Sequence, residues 1–461
     1  MFSTAARGAG ETPVFIEAGA VQVRYSELDA TVAGWAAALV RRGARPGDRI
    51  LVQAEKSVES ALLYLASLRA GLVYVPLNPA YTPAEVAWFV ADAEPALVVD
   101  DAALAELAAQ VGPDEFETVA RDPDDLAAIL YTSGTTGRSK GAMLSHDNLA
   151  SNALVLKDYW RWRKGDVLIH ALPIYHVHGL FVALHGALLN GSPMLWHKAF
   201  DADAVIGDLP RATILMGVPT FYTRLLANPR LARQAAANMR LFVSGSAPLL
   251  ETTFHEFEAR TGHRILERYG MTEAGMICSN PYDGERVPGT VGLPLPGVEA
   301  RIREEVLEIR GPNLFKGYWR RPEKTAGEMR EDGFFVTGDI ATMDETGRVA
   351  IVGRAKDLII AGGLNIYPRE VELALDALPG VGESAVIGVP HPDLGEAAVA
   401  VVVRADPGLD EAVILAAIAG NLARFKQPRR ILFADALPRN AMGKVQKAAL
   451  REAHKELFER N

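Results

Sequence analysis

Over the first 280 residues the apolar positions switch repeatedly between two spacings. In "RYSELDATVAGWAAALVRRGARPGDRI" they recur three and four residues apart, which predicts an amphipathic helix with Ser26 as N-cap and Gly43 as stop. "ILVQ" follows as a run of strand length, "VESALLYLASLRAG" returns to helical spacing, and "LVYVPLNP" reads as a second strand. "PAEVAWFVADAEP" is a third helix, before the strand "ALVVD". The alternation continues through "DVLIHALP", "GLFVALHGALLNG", "SPMLW", "TILMGVP", "TFYTRLLANP", "RLFVSG" and "TFHEFEARTG". Strand and helix taking turns is the pattern of parallel βαβ units.

After about Asn280 the texture changes. "GTVGLPLPGVEARIREEVLEIRGPNLFKGYW" is rich in Gly, Pro and β-branched residues and predicts short strands in a small barrel or distorted sheet. "GDIATMDETGRVAIVGR" predicts a hairpin around Glu345, Thr346 and Gly347. Beyond Lys356 the order is helix "YPREVELALDAL", strands "VGESAVIGV" and "EAAVAVVVRA", helix "DEAVILAAIAGNLA" and strand "RRILFA". The expected fold is α/β: a large N-terminal domain of βαβ subdomains with a small β-barrel-like part, then a small, mobile α+β C-terminal domain. The expected division is residues 1–355 and 356–461.

Length agrees, because 461 residues exceed what one core usually serves. The net charge of -9 argues against nucleic-acid binding by bulk charge, so any anion must be held by local groups. Cys278 is the single cysteine and can form neither an internal disulfide nor a cysteine metal cluster, which suits a reducing compartment. The start "MFSTAARGAG" has no apolar core of signal-peptide length. No apolar run reaches about 18 residues without a charge or break, so no membrane span is expected and a cytoplasmic location is the default.

Candidate chemistry begins at "ILYTSGTTGRSKGAMLSH", Ile129 to His146. A strand ends at Tyr131, and the next residues offer main-chain N–H groups, hydroxyls and two cations. Gly134, Gly137 and Gly141 let the backbone wrap closely around a ligand, and successive N–H groups form an anion nest. The spacing excludes the G-x-x-x-x-G-K-[ST] phosphate loop: Ser139 stands where its second Gly belongs, and Gly141 follows Lys140. Taken alone, the stretch reads either as a phosphate cradle or as a Gly-rich surface turn.

Four further stretches follow in order: "LERYGMTE" (Leu266 to Glu273), "VTGDI" (Val336 to Ile340), "GRAKDLIIAGGLNIYPREVE" (Gly353 to Glu372) and "LPRNAMGKVQK" (Leu437 to Lys447). With these, "YTSGTTGRSKG" closely resembles the motif set of the acyl-adenylate-forming enzymes, over nearly the whole chain. The one departure in the loop is Ser139, where the family usually has Pro.

The resemblance implies two half-reactions: a carboxylate attacks the α-phosphorus of ATP to give acyl-AMP and pyrophosphate, then a thiol takes the acyl group and releases AMP. It implies that Thr132, Ser133, Gly134, Thr135, Thr136, Gly137 and Lys140 hold the β- and γ-phosphates. Glu273 is implied as a ligand to Mg²⁺, a hard cation that prefers oxygen. Thr272 is implied beside the α-phosphate and Tyr269 beside adenine, with Glu267, Arg268, Gly270 and Met271 in the same nucleotide motif. Ser244, Gly245, Ser246 and Ala247 are expected to line the nucleotide and acyl pocket. Asp339 is implied as the ribose acceptor with Arg354 assisting, Lys356 as the hinge, and Lys444 as the catalytic lysine of adenylation. Gly362, Gly363 and Leu364 are implied in the CoA tunnel. Outside this setting, Lys140, Glu273 and Lys356 would read as ordinary surface or linker residues.

For the acid, the informative stretches are "LPIYHVHGLF", "LERYGMTEAGM" and "ERVPGTVG", which resemble the malonyl-CoA synthetase branch. A dicarboxylic acid leaves one carboxylate unreacted, and burying it unpaired costs several kcal/mol, so a cation must meet it. Arg286 is the first candidate, with His178 assisting and Arg268 second; a loop arginine and a core histidine are the plain alternatives. His176 reads as a pocket-gating histidine, Met276 as a residue shaping the acyl pocket, and Cys278 as packing. Malonate and methylmalonate both remain open, since a methyl group is worth only about 1–3 kcal/mol in a pocket. No carrier domain follows Asn461, so free CoA is the expected acceptor, with ATP as co-substrate. Two alternatives are another short- or medium-chain acyl-CoA synthetase and an adenylation enzyme that loads a separate carrier protein. A nucleotide-binding regulator without turnover is a third. Monomer and homodimer both stay open.

Overall fold

The structure is a computed structural model describing residues 8–132, 139–440 and 443–458. By packing, the chain divides into two compact units: residues 1–299 with 310–333, and residues 300–309 with 334–461. The division was expected at 355/356; packing instead groups residues 300–309 and 334–355 with the second unit.

The first unit is built on two sheets. One runs Leu97–Asp100, Arg49–Gln53, Val73–Pro76, Leu126–Thr132 and Lys140–Ser145 in spatial order. Its first four strands are parallel, and the last pair is an antiparallel hairpin in register from Thr132 with Lys140. Helix Pro83–Ala93 covers one face through Phe89 against Leu51, Val73, Val75 and Ile129. Thr82 caps that helix, with Glu85 reaching back to the cap N–H.

The other sheet has nine strands, with the parallel strands Leu168–His170, Ile214–Gly217, Leu241–Ser244 and Leu266–Met271 near its middle. Strand Leu266–Met271 turns back on Gly275–Ser279 as a hairpin. "GLFVALHGALLNG" is helical as expected, but its first part, His178–Leu184, is a π-helix continuing into α-helix His185–Asn190. Helix Tyr25–Arg41 forms where expected; its N-cap is Arg24, whose N–H donates to Glu27, so Ser26 lies inside the helix and is not the cap.

The second unit contains a four-stranded sheet, Glu299–Arg303, Val306–Arg310, Phe335–Met343 and Val349–Arg354. The last two strands form the expected hairpin, its turn held by Asp344 Oδ1 accepting from the Thr346 and Arg348 N–H groups. A five-stranded sheet follows, centred on Val381–His391 and Gly395–Arg404. Alternate residues of these strands feed two cores. Val386, Ala398, Ala400 and Val402 pack on one, and Ala385, Ile387, Val389, Val399 and Val401 on the other. Both faces are covered, so the strands read as continuous apolar runs. Among the described residues no helix is long and apolar enough to cross a membrane.

Candidate active site

Lys140 opens the second strand of the hairpin whose connecting loop carries the Gly, Ser and Thr cluster. Ser133, Gly134, Thr135, Thr136 and Gly137 lie outside the described residues. Thr132 Oγ1 donates to the Lys140 carbonyl at 3.4 Å. Gly141 is required by close packing, because a Cβ there would sit 2.7 Å from Ile129. The Lys140 ammonium lies 3.3 Å from Glu328 Oε1 and 4.3 Å from the Tyr318 ring centroid.

Thr272 and Glu273 occupy the tip of the hairpin Leu266–Met271 to Gly275–Ser279. Gly275 has φ +59°, and a Cβ there would strike the Asn152 side chain at 2.6 Å. Asn152 bonds both the N–H and the C=O of Met276, and Asn313 donates to the Ala274 carbonyl at 2.6 Å. The tip is therefore held by side chains from elements distant in sequence. Glu273 is 6% exposed, and Tyr318 Oη lies 2.9 Å from its Oε1 and 2.7 Å from Glu328 Oε2. Glu273 offers hard oxygen at a nearly buried position. Mg²⁺ commonly takes only one or two protein carboxylates and completes its shell with phosphate and water, so this donor fits it.

Strand Leu241–Ser244 ends at the C-terminal edge of its parallel neighbours, where ligands of α/β proteins collect. Ser246 sits there with φ +70°. Gly245 is open because a Cβ would lie 2.5 Å from the Arg268 guanidinium carbon. Arg268 is 2% exposed, and its Nε and Nη2 have no hydrogen-bond partner among the described residues. Burial pulls its pKa down to about 9, opposed by Tyr222 and Glu267, so it is a cation at neutral pH. His178 is buried, with Nδ1 3.5 Å from Ser246 Oγ; its Nε2 and the buried Ser244 hydroxyl have no partner among the described residues. Burial first, then the Arg268 charge and the His170 and His176 rings, hold His178 neutral. Met276 is buried at 2% exposure, and the partly exposed His176 packs its ring on Tyr175.

Arg286 does not join this group as expected. Its Nε, Nη1 and Nη2 donate to the carbonyls of Pro281, Arg264 and Tyr282 at 3.2, 2.5 and 3.1 Å. Its donors face the main chain of its own loop and of the segment before strand Leu266–Met271. Cys278 is fully buried, with burial pushing its thiol up to about 12, in keeping with packing.

In the second unit, Asp339 stands opposite Arg354 across the antiparallel pair, with Arg354 Nε 2.6 Å from its Oδ1. Asp339 is 2% exposed. Lys356 lies in the short turn Ala355–Asp357, where burial first and then Arg354 lower its pKa. Gly362 and Gly363, at φ +58° and +78°, turn strand Ile359–Ala361 into Leu364–Ile366. Gly362 and Leu364 line a cavity of about 190 Å³ with Phe425 and Arg429. Lys444 follows Gly443 (φ +72°) in a tight turn, its N–H donating to Asn440 Oδ1 at 3.0 Å.

The sequence reading missed Tyr318, Glu328, Asn152 and Asn313. Each lies outside the motifs, and only "GYW" around Tyr318 carried an aromatic signal.

Taken with the family matches that follow, this α/β scaffold is that of an AMP-forming acyl-CoA ligase. The chain belongs to the AMP-binding enzyme family, whose model matches residues 2–319, with the AMP-binding enzyme C-terminal domain matching residues 370–444. It is 35% identical to a malonate–CoA ligase of Arabidopsis thaliana over 89% of this chain and 79% of that one. It is 34% identical to a feruloyl-CoA synthase of Amycolatopsis sp, over 94% of each. Among solved structures it resembles ATP-bound MatB from Rhodopseudomonas palustris, with TM-score 0.95 and 51% identity over 99% of this chain and 100% of that one.

Proposed function

We propose that the chain is an ATP-dependent malonyl-CoA synthetase, which also accepts methylmalonate. In the first half-reaction one malonate carboxylate oxygen bonds to the α-phosphorus and pyrophosphate leaves. In the second, the CoA thiolate bonds to the acyl carbon and AMP leaves. Relatives of nearly equal identity carry names with different acids, so overall similarity does not choose the acid. The carrying observation is Arg268: a buried guanidinium with two unpartnered nitrogens, next to His178 and beside a glycine that leaves it room. A buried unpaired cation costs several kcal/mol, and a carboxylate taking two parallel hydrogen bonds relieves that cost. An aromatic or fatty acid would leave the cation unmet. This reading puts Arg268 ahead of Arg286 as partner of the distal carboxylate.

The remaining roles follow the family motifs. Lys140 and the residues of the motif before it would take the leaving phosphates, Glu273 would hold Mg²⁺, and Thr272 would sit at the α-phosphate. Tyr269 would flank adenine, and Asp339 with Arg354 would take the ribose. Lys444 serves adenylation, and residues 362–364 serve CoA. Lys356 is the hinge between residues 1–355 and 356–461. Bound Mg²⁺ would offset phosphate charge; the protein's own part is to orient the two anions and supply cations where charge develops.

The test is pyrophosphate release over a panel of acids, with and without CoA. Malonate and methylmalonate should lead, propanoate and ferulate should be poor, and CoA should accept the acyl group without a carrier protein. A preference for an aromatic or fatty acid would overturn the assignment.

A further inference from the structure

Lys56 is an unusual lysine. It is 6% exposed, in the turn between strand Arg49–Gln53 and helix Val58–Arg69, and no motif of the reaction uses it. Its ammonium lies 2.7 Å from the His170 carbonyl and 2.9 Å from His170 Nδ1. It also stands 4.2 Å from the Trp196 ring centroid, so all three of its protons have an acceptor or a π face. Burial lowers its pKa, and the Glu17 carboxylate opposes that. Lysines are almost never this buried without a specific reason.

The consequence lies one bond further on. Nδ1 of His170 accepts from the lysine, so the ring proton resides on Nε2, which donates to the Gly179 carbonyl at 3.0 Å. Gly179 is the second residue of the π-helix and the neighbour of His178. A Cβ on Gly179 would lie 2.0 Å from the Pro173 carbonyl, so this turn is pressed against residue 173 on one side and tethered by His170 on another. π-turns are costly and are often found at functional sites, where surrounding contacts hold them.

We propose that Lys56 is a positioning residue for acid selection, acting through His170 and the Gly179 carbonyl to hold the π-turn that aims His178 at Arg268. The proposal rests on the malonate assignment. Lys56 touches no substrate; it sets the tautomer of His170, and His170 sets the turn.

The experiment compares kcat/KM for malonate with that for propanoate, which lacks the distal carboxylate, in wild type, Lys56→Met, His170→Gln and His170→Phe. Lys56→Met should lower the malonate-to-propanoate ratio about tenfold, mainly through the malonate KM, with the ATP KM within about twofold. His170→Gln keeps a donor in reach of the Gly179 carbonyl and should retain the preference; His170→Phe keeps the ring shape without the donor and should lose it. A purely structural role would lower thermal stability and move both KM values together, which overturns the proposal. A malonate-preferring wild type whose Lys56→Met and His170→Phe variants keep that preference also overturns it. A wild type without malonate preference overturns the acid assignment first, and this proposal with it.

Discussion

The phenol of Tyr318 joins two carboxylates, its oxygen 2.9 Å from Glu273 Oε1 and 2.7 Å from Glu328 Oε2, while Lys140 lies against both its ring and Glu328. Lys140, which the motifs assign to the phosphates, and Glu273, which they assign to Mg²⁺, are thus held by one side chain that no motif names. Tyr318→Phe removes the hydroxyl and keeps the ring under Lys140. Acyl-adenylate formation should fall about tenfold, the worth of one hydrogen bond to a charged group. Thioester formation from supplied malonyl-AMP should be unchanged. Equal losses in both half-reactions would count against this role.

Arg268 should show opposed effects on stability and activity. Arg268→Met replaces an under-bonded buried cation with an apolar chain of similar length. The ligand-free protein should gain about 1–3 kcal/mol in denaturant unfolding, as when buried charges give way to apolar groups. Malonate kcat/KM should drop by about 10²–10³, the usual penalty for removing the partner of a buried charge. A variant that is destabilised yet still selects malonate would refute the pocket reading.

Arg286 should behave in the opposite way. Its three donors face main-chain carbonyls, so Arg286→Ala should cost about 1–3 kcal/mol of stability through unmet carbonyls. Its effect on the malonate KM should be far smaller than that of Arg268→Met, and steady-state kinetics of the two variants side by side decide the matter.

Lys444→Ala should nearly abolish pyrophosphate release, by about 10²–10³, and spare CoA transfer from supplied malonyl-AMP. Equal loss of both steps would remove Lys444 from its adenylation role.

Asp376 gives a pH test within the second unit. Burial raises its pKa to about 6, with the Ser384 hydroxyl bond at 2.7 Å opposing. The native state then holds its proton to higher pH than the unfolded chain, so stability falls as pH rises from about 4 to 6. Asp376→Asn keeps the hydrogen bond without the charge and should gain about 1–3 kcal/mol at pH 7 and little at pH 4. Urea unfolding of both proteins at the two pH values measures the difference.

Much of the architecture could be read directly because periodicity reports burial. The strands Arg49–Gln53, Val73–Pro76 and Leu97–Asp100 and their intervening helices follow it almost residue by residue. The misplaced cap at Ser26 shows the limit: Ser, Thr and Asp mark helix starts on average, but here the Glu27 carboxylate met the Arg24 N–H instead. The π-turn at His178 left no periodic signature, since one extra residue in a turn is invisible in a short apolar run. Motifs nominated Lys140, Glu273, Asp339 and Lys444, because a charged residue beside glycines in a fixed frame is a local pattern.

Composition, spacing and motif order therefore settled the α/β class and the family and nominated the residues for ATP, since each depends on neighbours along the chain. The acid-binding cation was a different kind of question. As letters Arg286 stood ahead of Arg268, and what separates them in the fold is where their donors point. One has its donors turned to three main-chain carbonyls, and the other is buried beside His178 with nitrogens unmet. Hydrogen-bond satisfaction of a buried charge is fixed by groups far apart in the chain, so only the folded arrangement could rank the two. The same holds for Lys56, whose reach to Gly179 passes through a ring 114 residues away.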